Sequence, residues 1–257
     1  MGPLPPDDRG FTLGDGLFET VLAEAGVLVR LPAHLARLAA GCEALGLPAP
    51  DPAEAEGLLR EALTHAGLTD TRAAARLTLT AGSGGRGLDR PAAPVIRLVA
   101  TAAAARRPAD PARLATSAVR RNDASPASRL KTLSYLDNVL ARAQAREAGA
   151  DEALMLNTTG EMACAAAANV FWIEGGRLFT PALDCGALAG VTRAEVLAAA
   201  ARLGISTHET RATPEVLANA EAVFLTNALV GVRPVVELDG RGFAPHALSA
   251  ALAAAIS

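Results

Sequence analysis

The strongest constraint on this chain is how short strand-like runs and amphipathic helical stretches interleave, most closed by glycine or proline nearby. Arg76–Thr80 alternates apolar and polar residues as a half-buried strand does. Val27–Val29, Val95–Ala100, Leu114–Val119, Glu152–Asn157, Ala168–Ile173, Arg177–Thr180, Ile205–Thr210, Val223–Thr226 and Val232–Leu238 read as further strands. Helical patterns cover His34–Leu45, Pro52–Ala66, Ser134–Ala148, Gly190–Leu203 and Ala247–Ile256, with a shorter helix from Pro214. Asp51 followed by Pro52 is a helix start, an N-cap and a proline at N1. A chain of 257 residues can bury a substantial core in one large or two medium domains. The Ala, Arg and Pro-rich stretch Ala102–Pro111 marks the boundary, giving an N-terminal domain over 1–107 and a C-terminal domain over 108–257.

Composition removes several function classes. Hydrophobic residues are 51% and charged residues 20%, which suits a globular chain and not a disordered one. Net charge is −3, aromatics are 3% and no basic block stands out, which argues against a nucleic-acid platform. The longest apolar runs, Met162–Ala168 and Ala250–Ile256, are too short to cross a bilayer. Met1–Asp8 has neither the charged nor the apolar region of a signal peptide, and Pro6 breaks the myristoylation pattern. The cysteines, Cys42, Cys164 and Cys185, are odd in number and widely spaced, which speaks for a reducing compartment. The histidines show no metal-ligand spacing. The expectation is a soluble cytoplasmic protein with a small-molecule substrate, no nucleic acid, no membrane and no structural metal.

One residue stands apart chemically. Of 24 Lys+Arg, Lys131 is the only lysine. Arginine stays charged and is no amine nucleophile, whereas lysine becomes one when burial or neighbours lower its pKa. Lys131 precedes the helix Ser134–Ala148, on a loop of the kind where site residues gather. That helix presents Leu136, Val139, Leu140 and Ala143 as an apolar stripe. In the helix His34–Leu45, Leu35, Leu38, Ala39, Cys42 and Leu45 form the stripe, and Arg37 lies off it, as a solvated arginine would. Gly14 and Gly16 flank Asp15 in a tight turn before a strand. The loop Gly82–Gly87 lacks the Gly-Lys-Ser/Thr ending of a P-loop and reads as a mobile loop lining a site. Asn169 lies in an apolar strand and needs a hydrogen-bond partner. Thr192 with Glu195 three residues on reads as a capping box, at a helix N-terminus that also offers N–H groups to an anion.

Several blocks carry a resemblance when taken in order: Asp8-Arg9-Gly10 with Gly14–Thr20, His34–Leu38, Lys131 with Tyr135-Leu136 and Asn138–Ala141, Asp151–Leu154, Asn169-Val170-Phe171, Leu188–Arg193 and Thr226–Leu229. The chain resembles the class IV aminotransferase family, the fold type IV enzymes that use pyridoxal 5'-phosphate (PLP). The resemblance implies an α/β fold of two domains, with the cofactor between them and the lysine on the C-terminal domain, and usually a homodimer. It implies that Lys131 is the Schiff-base lysine and proton carrier, and that Arg37 grips the cofactor phosphate. Val191 and Thr192 match the helix terminus on the same phosphate, and Thr226, Asn227 and Ala228 match a second phosphate-binding turn. Leu188 matches the side chain packed on the pyridine ring, and Tyr135 a tyrosine on the phenolic oxygen. Asn169 belongs to the cofactor-side strand. Phe11, Phe18, Arg76 and Arg86 are the candidates for holding substrate.

One position departs from the family pattern. A glutamate five residues before the asparagine usually protonates the pyridine nitrogen, and here that position is Cys164. Glu161 lies three residues earlier, and an odd shift along a strand points to the opposite face. Without an acid partner the ring is a poorer electron sink. The compact length, Ala167–Trp172, Asn227–Leu229 and the Gly82–Gly87 loop are most similar to a lyase branch of the family that eliminates pyruvate. D-amino-acid and branched-chain aminotransferases share the same blocks, and a PLP-binding protein of reduced activity is a third reading.

Overall fold

The first segment of the computed structural model to take up regular structure is a single helical turn, α1 (Arg9–Leu13), capped by Asp8. The model describes residues 4–108 and 110–256. The first residues of the N-terminal segment and Ala109 of the boundary segment lie outside the described residues. Two compact units follow from the contacts: one runs to Arg106 and includes Leu130–Ser134, and the other takes Arg107–Arg129 and the chain from Tyr135 onward.

In the first unit α1 is followed by β1 (Gly16–Glu24), β2 (Val27–Leu28), α2 (Leu31–Leu45), α3 (Pro52–His65), β3 (Ala73–Thr80) and β4 (Arg97–Ala104). The strands form an antiparallel sheet in the order β2-β1-β3-β4. Period-two alternation gives the sheet one core face. Leu17, Val21, Ala75, Leu77 and Leu79 share a buried cluster with Leu38 and Cys42 of α2 and Leu59 and Leu63 of α3. Each fully buried leucine contributes about 2–3 kcal/mol relative to an exposed one. α3 begins as the sequence reads: the Asp51 carboxylate accepts from the N–H groups of Ala53 (2.8 Å) and Glu54 (3.0 Å). Gly14 ends α1 with φ 68°, and a Cβ on Gly16 would collide with the Leu79 carbonyl. The glycines around Asp15 therefore serve a helix stop and a close strand approach.

The Gly82–Gly87 loop is pinned rather than loose. The buried Arg9 donates to the carbonyls of Gly87, Leu88 and Asp89, and its Nε donates to Asp15 at 2.9 Å. Arg90 pairs with the same Asp15 carboxylate. Asp15 is held below the usual carboxylate range: the Arg90 hydrogen bond leads, burial opposes it, and Arg9 adds to the lowering.

The second unit contains β5 (Ala112–Thr116), α4 (Pro126–Arg129), α5 (Leu136–Glu147), β6 (Glu152–Leu156), β7 (Met162–Ala165), β8 (Asn169–Glu174), β9 (Arg177–Pro181), α6 (Val191–Arg202), β10 (Thr207–Thr210), β11 (Ala222–Asn227), β12 (Gly231–Leu238), β13 (Arg241–Gly242) and α7 (Ala247–Ala255). They build a mixed sheet in the order β10-β9-β8-β11-β12-β5-β6-β7, with β13 on β12. Phe171 and Phe224 stack at 5.0 Å between ring centroids where β8 pairs with β11. The fold class is α/β, and no helix among the described residues is long and apolar enough to cross a membrane.

Three expectations need correction. On α5, Leu136, Val139 and Leu140 are 68%, 60% and 47% exposed. The buried side is Asn138, Ala141 and Ala145. A small residue seats a helix closer than a leucine does, and Asn138 is satisfied by Arg121 Nη1 (2.9 Å) and the Ala166 carbonyl (2.7 Å). At α6 the N-cap is Gly190, with Thr192 inside the first turn and no side chain capping it. Finally, Leu130–Ser134 belongs to the first unit and not to the C-terminal one. Phe18 N–H donates to the Lys131 carbonyl at 2.9 Å, Leu133 N–H donates to the Gly16 carbonyl at 3.0 Å, and Leu17 bridges Thr132. Main-chain pairing of this kind overrides position in the chain.

Candidate active site

Lys131 is set by that pairing, which continues along the edge of β1 that β2 occupies farther on. Its backbone is fixed, and its side chain turns over Phe18, with Nζ 4.1 Å from the ring centroid. The Arg76 guanidinium lies over the same ring at 3.7 Å, and its Nε donates to Thr78 Oγ1 at 3.3 Å. Burial, then the charges of Arg37 and Arg76, depress the Lys131 amine to about 8, while Glu19 opposes them. An amine there is substantially neutral in mildly alkaline solution, where an ordinary lysine is not.

Arg37 is not the solvated arginine that its place off the α2 stripe indicates. Its Nε donates to Glu19 Oε1 at 2.8 Å and its Nη2 to Oε2 at 2.6 Å, the fork geometry that matches a carboxylate. His34 Nδ1 lies 2.7 Å from Glu19 Oε2. Burial pushes the Glu19 carboxyl up, but the His34 and Arg37 hydrogen bonds and the Arg37 charge outweigh it and hold it below its ordinary value. Glu19 and His34 escaped the sequence reading. Their signal was present: His34 and Arg37 are three apart on one helix and share a face.

The other substrate candidates separate. Phe18 is 5% exposed and belongs to the lysine cluster. Phe11 is 71% exposed and lines a neighbouring cavity. Arg86 is exposed on the pinned loop, where its backbone pairs with Asp89.

The second unit brings its candidates together around β8 and β11. Asn169 lies opposite Thr226 in the ladder, and its amide donates to the Leu188 carbonyl at 2.9 Å. A Cβ on Gly190 would strike the Asn169 side chain, so glycine lets the α6 terminus, with Val191 and Thr192, sit against this strand. That first turn has no side-chain cap, which leaves N–H groups and the positive dipole end for an anion. The buried Thr226 Oγ1 has no hydrogen-bond partner among the described residues. A buried hydroxyl left orphaned costs free energy unless a ligand satisfies it. Asn227 is tied differently: its Oδ1 caps the N–H groups of Leu229 and Val230 at 2.9 Å each, and its amide donates to Ala167, which shapes the turn at Ala228. Leu188 is half-buried, and Tyr135 is half-buried at the N-cap of α5.

Cys164 lies opposite Met155 on β7 and joins an apolar cluster with Ala141, Ala145 and Ala153. Burial pushes its thiol up, Arg121 opposes this, and the result is a neutral thiol near pH 7. Glu161 is committed elsewhere, to Arg211 (Nη2 2.8 Å) and Asn157 (2.8 Å). Arg121 is a second residue that sequence reading missed. It is 7% exposed and donates to Asn138, the Ser128 carbonyl and the Gly186 carbonyl. Nothing in the sequence separates it from its neighbour Arg120.

Comparison with known proteins gives the family. The family model for amino-transferase class IV matches residues 16–238. The chain belongs to the class IV aminotransferases. It is an enzyme of a family whose members are PLP-dependent aminotransferases and lyases. Its relatives include a Methanocaldococcus jannaschii protein named for branched-chain-amino-acid aminotransferase activity, 35% identical over 91% of this chain and 82% of that one. The aminodeoxychorismate lyase of Bacillus subtilis is 30% identical over 92% of this chain and 82% of its own. The crystal structure of 4-amino-4-deoxychorismate lyase from Pseudomonas aeruginosa superposes with a TM-score of 0.87 at 34% identity, covering 98% of this chain and 93% of that one. Class IV relatives of both activities are thus about equally similar.

Proposed function

We propose that this class IV enzyme is a PLP-dependent lyase that releases pyruvate from 4-amino-4-deoxychorismate and leaves 4-aminobenzoate. The residues present fit the cofactor. Thr226 offers an unsatisfied hydroxyl, the α6 terminus an uncapped first turn, and Lys131 an amine depressed to about 8. PLP, when bound, would supply a carbonyl for the Lys131 amine and a ring that withdraws electrons. Thr226, Val191 and Thr192 would hold its phosphate. Lys131 then takes a proton from the substrate carbon that bears the amine and returns one to the product. The two cations over Phe18 favour an anionic substrate group nearby, and Arg76 is the one that binds a carboxylate.

The observation that carries the choice of elimination is Cys164. A neutral, buried thiol stands at the sequence position of the family's ring-nitrogen acid. A weaker electron sink slows every carbanion reaction, but least one whose product is aromatic, because the forming ring supplies its own driving force. The relative named for branched-chain amino transfer, at 35% identity, supports aminotransferase as the second reading. The deciding test is a substrate panel on the PLP-loaded protein. The reading expects 4-aminobenzoate and pyruvate in equal amounts; amino transfer to 2-oxoglutarate without 4-aminobenzoate would replace it. We further propose a homodimer in a reducing compartment, supported by the exposed Leu136, Val139 and Leu140 and by three free, buried cysteines.

A further inference from the structure

The four-stranded sheet of the first unit has a second face, away from α2 and α3. Cross-strand partners share a face. The register aligns Phe18, Thr78 and Val99 in one row, and Thr80 with Arg97 in the row beyond. Arg76 lies one row to the other side, opposite Thr101. Two rows separate Arg76 from Arg97, roughly 13 Å of strand at about 3.3 Å per residue.

A cavity of about 360 Å³ lies on this face, with apolar walls from Leu4, Phe11, Val99 and Leu133 and polar groups from Thr78 and Arg97. That volume is near the small end of ligand pockets, roughly 300–1,000 Å³. It is about twice the ~150 Å³ that admits a benzene ring.

The polar groups are only partly spent. Among the described residues Arg97 donates through Nε alone, to Asp8 at 3.3 Å. Its two terminal amino groups have no protein acceptor there. Asp8 reaches Arg97 through Nε only, and its other contacts go to the N–H groups of Gly10 and Phe11 and to the Thr80 hydroxyl, so the terminal amino groups keep their hydrogen-bonding capacity. Thr78 accepts from Arg76, and its own O–H proton goes to no described acceptor. Thr80 is used up, since it donates to Asp8 and accepts from Gly82 N–H. The cavity therefore offers a forked cation and one hydroxyl inside apolar walls, and Thr78 connects it to the Arg76, Phe18 and Lys131 cluster.

We infer that this cavity binds the carboxylate-bearing ring of a cyclic acid, with the carboxylate on Arg97 and Thr78 and the ring against Phe11, Val99 and Leu133. Arg97 is then a specificity-determining residue. Two arginines on one sheet face select a reactant with two anionic groups, one near Arg76 beside the lysine and one held by Arg97 farther along. The choice of reactant rests on the proposed lyase reading; the binding of a ring carboxylate does not.

The test is calorimetric titration of the PLP-loaded protein with 4-hydroxybenzoate, which has no amine to react, and with 4-hydroxybenzamide, which has no charge. Saturable binding of the acid below about 10 mM is expected, a weak but specific affinity. The amide and the Arg97→Gln protein should each bind at least about tenfold more weakly, the size of one charge-assisted pair. Val99→Phe fills the cavity without touching Asp8, and should weaken binding with the fold intact. Arg60→Gln, on the exposed side of α3, should bind as the parent does. Equal binding of acid and amide, equal binding by parent and Val99→Phe, or no saturation by the acid each overturns the inference. Visible absorbance of the loaded protein reports cofactor attachment separately. A coloured protein that fails to bind the acid sinks this inference and leaves PLP chemistry at Lys131 standing.

Discussion

Phe18 and Lys131 hold each other twice: the Phe18 N–H donates to the Lys131 carbonyl at 2.9 Å, and the Lys131 Nζ lies 4.1 Å from the Phe18 ring centroid. The backbone bond sets where the lysine enters, and the ring helps to exclude water from its amine. Because Lys131 is the only lysine, an amine-directed reagent reads its titration with only the α-amine to subtract. Reaction with trinitrobenzenesulfonate should rise through pH about 8, not 10.5. Phe18→Ala should move that midpoint upward, since burial is the largest cause of the depression. An unchanged midpoint would show that the ring does not control the amine. The sign for stability follows: a folded pKa below the unfolded one costs stability at low pH, and the cost is relieved as pH rises from about 8 to 10.5.

Borohydride reduction of the PLP-loaded protein should fix the cofactor on the peptide containing Lys131 and on no other. Lys131→Ala should fold, because the pairing with β1 uses main-chain atoms. It should show no fixed cofactor by mass spectrometry.

Glu19→Gln should destabilise the first unit by about 3–5 kcal/mol, the usual effect of removing one partner from a buried pair. Arg37 and His34 would then face an uncharged amide. Glu19 has a depressed pKa, so its contribution is present above its unfolded value of about 4.5 and is lost as pH falls through the lower folded value. Urea unfolding at pH 7 and at pH 3 checks both points: the difference between the two proteins should shrink in acid.

Cys164→Glu should raise amino transfer relative to pyruvate release, because an acid at this position strengthens the ring as an electron sink. Burying the new carboxylate among Ala141, Ala145 and Ala153 should also lower the unfolding temperature. Rates of both reactions on the same preparation, with melting followed by calorimetry, separate the two effects. A parallel loss of both reactions in a protein that remains folded would mean that the site has no use for an acid there.

Much of the fold was legible because strands and helices announce themselves by period and by their stops, as at Asp51-Pro52 and Arg76–Thr80. The failures share a cause. On α5 the large apolar residues face outward, while the packing uses Ala141 and Ala145 and a hydrogen-bonded Asn138. β7 carries no strand signal because Met162–Ala165 is apolar throughout and shows no alternation. The seat of Lys131 depends on residues far apart in the chain, and no local pattern records such a meeting.

The strand pairing at Leu17 and Thr132 joins residues more than a hundred positions apart. During synthesis β1 exists long before its partner segment is made. Until then the start of its edge presents open N–H and C=O groups to any passing strand. Conditions that slow elongation between Arg106 and Thr132 should therefore favour aggregation of the nascent chain, and the lysine should reach its seat among the last events of folding.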